Sequence, residues 1–229
     1  MERNINRKSG HGRFFEVGNV HIARGNELPE ERKMVGLCFS GETENFFTLK
    51  GVLEALFDRL RISGVTWRYI KRSWFQPGRA AEILSADGTV LGEIGDIHPD
   101  VTARFGIDQR VYAAELSFDA LLRTADTRLR FVPLPRFPVV SRDLAVITDM
   151  ATEAETLADV IRRASAGLTV ENVRLFDTYR GPGILAGKKS LAYSFTLRSD
   201  DHTPTDAEIK DSIDTILKAL ADSGAALRI

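Results

Sequence analysis

The chain has 229 residues, of which 43% are hydrophobic and 28% charged, and its 31 basic and 32 acidic side chains leave a formal net charge of −1. This composition fits one large or two modest globular domains and gives no overall pull toward nucleic acid or an anionic membrane. The single cysteine, Cys38, excludes an internal disulfide and a cysteine-based zinc site, and neither a membrane-spanning apolar run nor a signal-peptide core is visible, so a cytoplasmic setting is expected.

Phe14–Ile22 is rich in β-branched and aromatic residues and predicts a strand, and Met34–Phe39 predicts a short buried one. Leu49, Val52, Leu53, Leu56, Phe57 and Leu60 recur at helical spacing, with Thr48 available as N-cap. Val65–Ile70 reads as extended. Ala81–Ile97 reads as a hairpin turned at Asp87-Gly88. Pro99 opens a short helix that Gly106 ends; Val111–Leu116 is a further strand and Phe118–Leu122 a further short helix. The resulting sheet is expected to be largely antiparallel. Residues 129–140 hold Pro133, Pro135 and Pro138 and read as an extended connector.

Beyond it, Asp143–Thr148 predicts a strand. Thr152-x-x-Glu155 reads as a capping box for a helix through Leu157, Val160 and Ile161, with Gly167 as C-cap. Val170–Tyr179 and Lys189–Arg198 alternate as strands. A second box, Thr205-x-x-Glu208, opens a helix through Ile209, Ile213, Ile216 and Leu220, stopped at Gly224, and Ala225–Ile229 is a last strand. This order, β-α-β-β-α-β, is the ferredoxin-like plan, with both helices on one face of a four-stranded sheet. Leu191, Tyr193, Phe195 and Leu197 form the covered face; Ser190, Ser194, Thr196 and Arg198 form the open one.

Several chemistries fail on spacing. A P-loop needs four residues between its first glycine and Gly-Lys-Ser/Thr, whereas five residues separate Gly181 from Gly187 and three separate Gly183 from it. Asp96, His98 and Asp100 alternate like metal ligands, but Pro99 starts a helix among them, and His98 is better used as a cap. No hydrolase motif occurs, and Arg142 with Asn172 lacks the phosphate-cradling loop that acyl-phosphate cleavage needs. Neither a catalytic set nor a metal site is therefore expected. The remaining cluster is basic: Arg174, Arg180, Lys188, Lys189, Arg198 and His202 fall on the central strands of the second part or their loops. Such a group is either a solvated sheet face or a set of phosphate contacts to RNA. Residues from Arg136 onward carry 12 basic and 14 acidic side chains, so any RNA contact must be local.

Pro138-Val-Val-Ser-Arg-Asp-Leu-Ala, Leu175-Phe-Asp-Thr-Tyr-Arg-Gly181, Gly187-Lys-Lys-Ser-Leu-Ala-Tyr and Gly224-Ala-Ala-Leu-Arg228 resemble the ferredoxin-fold anticodon-binding domain of bacterial phenylalanyl-tRNA synthetase β subunits. Phe15-Glu-Val-Gly18, Phe47-Thr-Leu-Lys-Gly51, Gln76-Pro-Gly-Arg-Ala-Ala81 and Gly92-Glu-Ile-Gly-Asp-Ile-His-Pro99 resemble the catalytic-like module of the same subunit. The resemblance implies an α+β chain in which residues 1–128 are a truncated class II synthetase-like module, 129–140 a connector and 141–229 the anticodon-binding domain. It also implies a fragment of a longer subunit. The module would scaffold the catalytic α subunit without catalysing, because Arg13-Phe-Phe-Glu16 stands where class II chemistry wants Arg-x-Glu. The whole enzyme would be an (αβ)₂ ligase using ATP and Mg²⁺ to charge tRNA-Phe, with no cofactor held in this chain and with no DNA or membrane partner.

On this resemblance the RNA contacts fall to Arg174, Tyr179, Arg180, Lys188, Lys189, Arg198, His202 and Arg228. Tyr179 either stacks on an exposed base or belongs to the core, since it shares parity with Val173 and Leu175. His202-Thr-Pro-Thr205 replaces the family's Arg-Thr-Leu-Thr, which would weaken one phosphate contact or make it pH-dependent. The competing expectation is a stand-alone ferredoxin-like interaction or regulatory domain without RNA. A large apolar patch on the first part would favour the subunit reading.

Overall fold

The structure is a computed structural model that describes residues 2–7, 11–126, 128, 131 and 136–228. The chain divides into two compact units, residues 1–130 and 131–229. Half of the connector expected at 129–140, residues 129, 130 and 132–135, lies outside the described residues.

The first unit runs α1 (Glu2–Asn6), β1 (Gly12–Arg24), β2 (Glu27–Ser40), α2 (Phe46–Leu60), β3 (Thr66–Tyr69), β4 (Phe75–Leu84), β5 (Val90–Ile97), α3 (Pro99–Arg104), β6 (Val111–Ser117) and α4 (Phe118–Thr124). Its strands form one sheet in the order β1-β2-β6-β5-β4-β3, antiparallel at every pairing. The expected strands at 14–22 and 34–39 are the centres of a much longer β1–β2 hairpin that turns through Gly25 at φ 60°. α2 is capped by Asn45 rather than Thr48. The Asn45 side chain accepts from the Phe47 and Thr48 amides, and Thr48 closes the box by accepting from the Asn45 amide. The core lies on one face of the sheet. Leu49, Leu53 and Phe57 of α2 and Leu121 of α4 join Phe39, Ile94 and Leu116 there. Each such side chain contributes about 1.5–3 kcal/mol on burial.

The second unit runs β7 (Val140–Asp149), α5 (Ala154–Arg163), β8 (Thr169–Tyr179), β9 (Lys188–Arg198), α6 (Asp206–Asp222) and β10 (Ala226–Leu227). The sheet order is β10-β7-β9-β8, all antiparallel, which is the ferredoxin-like arrangement. Leu191, Tyr193, Phe195 and Leu197 alternate along β9 and are 0–1% exposed, packed with Leu157 and Ile161 of α5 and Ile216 and Leu220 of α6. The buried Tyr193 hydroxyl donates to the Ala154 carbonyl at 2.8 Å, and burial pushes its pKa up.

The two helix starts differ. α6 has the expected box, with the Thr205 hydroxyl accepting from the Glu208 amide and the Glu208 carboxylate accepting from the Thr205 amide. α5 does not: its N-cap is Glu153, without a side-chain cap bond, because Glu155 is drawn into an ion pair with Arg162 at 2.7 Å. Its C-cap is Ala164 rather than Gly167.

Candidate nucleic-acid interface

Because strand side chains alternate, Ser190, Ala192, Ser194, Thr196 and Arg198 of β9 point away from the helices. On β8 their direct neighbours are Tyr179 beside Ser190, Asp177 beside Ala192, Arg174 beside Ser194 and Glu171 beside Thr196. Two register shifts make this possible, one between Glu171 and Arg174 and one between Leu175 and Asp177. Each bulge inserts an extra residue and reverses the alternation beyond it. The second shift therefore moves Tyr179 off the parity it shares with Leu175 and onto the open face.

There Tyr179 forms the centre of a cluster. The Arg228 amide donates to the Ala145 carbonyl at 2.8 Å, which extends the edge of β10 along β7. Its guanidinium lies over the Tyr179 ring, 5.0 Å from the centroid, and donates to the Ser190 hydroxyl at 3.4 Å. The Tyr179 hydroxyl donates to the Pro182 carbonyl at 3.2 Å. Gly181 permits this position, since a Cβ there would lie 2.6 Å from the tyrosine oxygen. Ser190 is 2% exposed, so small residues floor the cluster.

The basic residues separate into two groups. Arg174 and Arg180 are exposed, and neither has an ion-pair partner among the described residues. The others are engaged. Lys188 pairs with Asp149 at 2.7 Å, and Arg198 bridges Glu171 at 2.9 Å and Asp200. Lys189 falls on the helix-covered parity, is buried, and donates to the Met150 carbonyl at 3.1 Å. Burial, followed by the charge of Arg180, lowers its pKa. His202 lies between two carboxylates, with Nδ1 2.6 Å from Asp201 and Nε2 2.8 Å from Glu208. The hydrogen bond with Asp201, then that with Glu208, raises its pKa.

In the first unit the corresponding uncovered region is apolar. A groove of about 610 Å³ lies between β1, α2 and α4, lined by Phe14, Phe15, Val17, Leu56, Leu60 and Leu122 among others. Phe15 is 78% exposed and Leu122 67%. Arg13 is held at the edge of this groove by Glu44 at 2.9 Å and by the Phe39 ring at 5.1 Å. Arg13 and Glu16 are three apart on a regular strand and so point to opposite faces. His98 caps α3, accepting from the Asp100 amide at 3.2 Å, while Asp96 pairs with Arg79 at 3.1 Å. Among the described residues no group of three or more His, Cys, Asp or Glu side chains is arranged to hold a metal ion, and no helix is long and apolar enough to cross a membrane.

Residues 1–118 match the phenylalanyl tRNA synthetase beta chain CLM domain. The chain belongs to this family. Residues 135–228 match the ferredoxin-fold anticodon binding domain. Relatives named phenylalanine–tRNA ligase beta subunit include that of Clostridium tetani, 38% identical over all of this chain and 29% of the relative. That of Moorella thermoacetica is 40% identical over 99% of this chain and 29% of the relative, and that of Syntrophotalea carbinolica 39% identical over 100% and 30%. The chain thus spans under a third of the length of these synthetase subunits. The expected recognition and the α+β fold class agree with these matches and with the two sheets.

Asp143, Asp177 and Phe176, which lie within the resembling motifs but were not among the expected contacts, also border the open face. Alternation along β8 already sets Phe176 opposite Leu175, but no residue pattern announces the bulges that bring Asp177 there.

Proposed function

We propose that the chain serves a phenylalanine–tRNA ligase in two ways: its second unit binds the anticodon stem and loop of tRNA-Phe on the open sheet face, and its first unit scaffolds the catalytic α subunit. The observation that carries the RNA reading is the Tyr179–Arg228 cluster, flanked by the free guanidinium groups of Arg174 and Arg180. An aromatic ring takes a splayed base by stacking, and unspent cations neutralise backbone phosphates. The spent cations narrow the set of contacts: Lys189, Arg198 and His202 act inside the fold, and Lys188 reaches phosphate only by leaving Asp149.

The groove supports the scaffold reading, because an apolar surface of this size is unfavourable in water and gains when a protein covers it. The opposite placement of Arg13 and Glu16 supports a module without catalysis. A polyphosphate would need the arginine on the same face as the acid, and Arg13 is already committed to Glu44. ATP and Mg²⁺ are accordingly handled elsewhere in the enzyme, in an (αβ)₂ assembly working in the cytoplasm.

The test is tRNA-Phe transcript binding by the chain, with and without added α subunit, across a salt series. Each phosphate contact contributes about 0.7–0.9 to the slope of log K against log salt, so Arg174→Ala with Arg180→Ala should flatten the slope by about 1.4–1.8. Lys189→Ala should leave it unchanged. A slope that falls for Lys189→Ala and not for the arginine pair would move the interface off this face.

A further inference from the structure

The Gln76-Pro-Gly-Arg79 segment takes no part in the apolar groove or in the open face of the second unit, yet the first sheet breaks its register to accommodate it. Along β4, Phe75 pairs with Ile97 and Ala80 with Gly95, so five steps on β4 answer two on β5 and three extra residues arch out of the ladder. Gly78 stands in this arch at φ 78°, a conformation that glycine adopts freely. Phe75 closes one end, packed so closely on Gly95 that a Cβ there would lie 2.5 Å from the ring. Bulges re-aim side chains and are over-represented beside functional sites. Here the arch brings Arg79 to Asp96, and the guanidinium donates to Asp96 Oδ2 at 3.1 Å.

The facing wall comes from the chain between α3 and β6. Gly106, at φ 64°, turns the chain out of the helix, and the Ile107 amide donates to the Thr102 carbonyl at 3.0 Å. Ile107 and Val111 are buried, which pins both ends of the segment 108–110. The Ser40 hydroxyl fixes it further by donating to the Arg110 carbonyl at 2.9 Å. Arch and segment enclose a cavity of about 150 Å³, lined by Gln76, Arg79, Asp96, Asp108, Gln109 and Arg110 among others.

Most of this lining is uncommitted. Asp96 is 4% exposed, and Arg79 is its one side-chain partner among the described residues. The side chains of Gln76, Asp108, Gln109 and Arg110 have no hydrogen-bond or ion-pair partner among the described residues. The Gln109 amide nitrogen is buried as well, one of two buried side-chain polar atoms without a partner among those described. A donor in that position costs folding free energy until an acceptor reaches it, and a half-turn of the amide exchanges its donor and acceptor ends.

The charges select the ligand. Two guanidinium groups, of Arg79 and Arg110, and two carboxylates, of Asp96 and Asp108, line the cavity. A net anion or a net cation is drawn by one pair and repelled by the other, whereas a molecule carrying both charges a few ångströms apart gains from both pairs. At about 30 Å³ per water the cavity holds roughly five water-sized groups, enough for the main-chain atoms of an amino acid and too little for an aromatic side chain. We propose that this cavity binds a small zwitterionic α-amino acid of the glycine or alanine class. Its carboxylate lies at Arg110 and the Gln109 amide, and its ammonium lies at Asp108 and the unbonded oxygen of Asp96. The cavity shares no lining residue with the apolar groove, and the assignment rests neither on RNA binding nor on the α-subunit contact.

The experiment titrates glycine, acetate, methylammonium and phenylalanine separately into the isotope-labelled chain and follows the backbone amides by NMR. Glycine should shift the Gly78, Asp108, Gln109 and Arg110 amides saturably, with half-saturation between about 10 μM and 10 mM. Acetate, methylammonium and phenylalanine should each bind at least about tenfold more weakly. Arg110→Ala and Asp108→Asn change exposed side chains, so the chain should stay folded, and each should weaken glycine at least about fivefold. No saturable shift with glycine up to about 50 mM means that the cavity holds solvent only, and overturns the proposal. Acetate or methylammonium binding as tightly as glycine overturns the zwitterion assignment, and phenylalanine doing so overturns the assignment to a small amino acid. Glycine affinity within about twofold of wild type in both variants places the ligand elsewhere and overturns the site.

Discussion

Each unit lays two helices over one face of an antiparallel sheet, and each leaves a region uncovered, but the two regions are made of opposite material. In the second unit the uncovered face has a small-residue floor, a ring, and guanidinium groups of which two are unspent. In the first unit the uncovered groove is walled by phenylalanine and leucine, and the arginine beside it is consumed by Glu44. An apolar wall gains about 25 cal/mol per Å² when covered and gains most from a partner that stays. A polar face with free cations gains through counterion release, which is salt-sensitive and readily reversed. The two surfaces are therefore suited to different kinds of contact, a lasting one in the first unit and an exchangeable one in the second.

The sharpest way to break this comparison is to charge the groove. Phe15→Asp combined with Leu122→Asp alters two side chains that are 78% and 67% exposed, so folding should be nearly unaffected. If the groove is the surface that meets the α subunit, two hot-spot losses of about 2 kcal/mol each weaken association roughly a thousandfold. Sedimentation of the chain with the α subunit reads this directly, and tRNA binding by the chain alone should change less than about twofold. An unchanged complex would remove the groove from the scaffold.

The converse change is Tyr179→Ala, which leaves the first unit untouched. Losing one stacking platform lowers RNA affinity about 5–150-fold. Lys189→Ala is its control. That lysine donates to the Met150 carbonyl from a buried position, so its loss should cost about 1 kcal/mol of stability and lower Tm by a few degrees without changing RNA affinity. If Lys189→Ala lowers affinity as much as Tyr179→Ala, the division between open and covered faces of β9 is wrong.

That division marks the limit of what the sequence discloses. The β9 alternation was legible because four large apolar residues in strict period two can only be a core face, and the α6 capping box because Glu208 keeps one carboxylate oxygen on the Thr205 amide while His202 takes the other. The α5 box was not, because Arg162, a turn and more away, claims Glu155. The Thr48 cap was off by one box position because Asn45 is the stronger acceptor and sits three residues earlier. The site was harder. Motif resemblance reached Tyr179 and Arg228 but could not say which way the tyrosine faced. A bulge depends on pairing with a neighbouring strand and has no local signature, so parity counted along β8 fails beyond Leu175. Likewise, which cations are spent depends on carboxylates distant in sequence, as Lys188 and Asp149 show.

A smaller effect isolates the position of the ring from its presence. Gly181→Ala puts a Cβ 2.6 Å from the Tyr179 oxygen and 2.8 Å from its Cζ, so the ring must shift. RNA affinity should fall about 2–5-fold, less than on losing the ring outright, with stability almost unchanged. A loss as large as that of Tyr179→Ala would mean that the loop itself, not the ring, makes the contact.

The smallest effect concerns His202, which the sequence placed among the expected phosphate contacts. Both ring nitrogens face carboxylates, Asp201 and Glu208, and Glu208 also caps α6 through Thr205. The folded state raises the imidazole pKa above its ordinary 6.5, so the stability from its protonation is complete below that value and is lost as pH rises through the folded pKa. Hydrogen bonds from the Thr205 amide and hydroxyl, then that from His202, lower the pKa of Glu208 from its ordinary 4.5, so its contribution is present above that value and is lost as pH falls through the folded pKa. The clamp is therefore complete only between about 4.5 and 6.5. Tm measured near pH 5.5 should exceed Tm near pH 8, and His202→Gln should reduce the difference by a degree or two while leaving RNA affinity unchanged at either pH. A pH-dependent RNA affinity that disappears in His202→Gln would instead return this histidine to the phosphate contacts and blur the line between the cations that build the fold and those that meet the RNA.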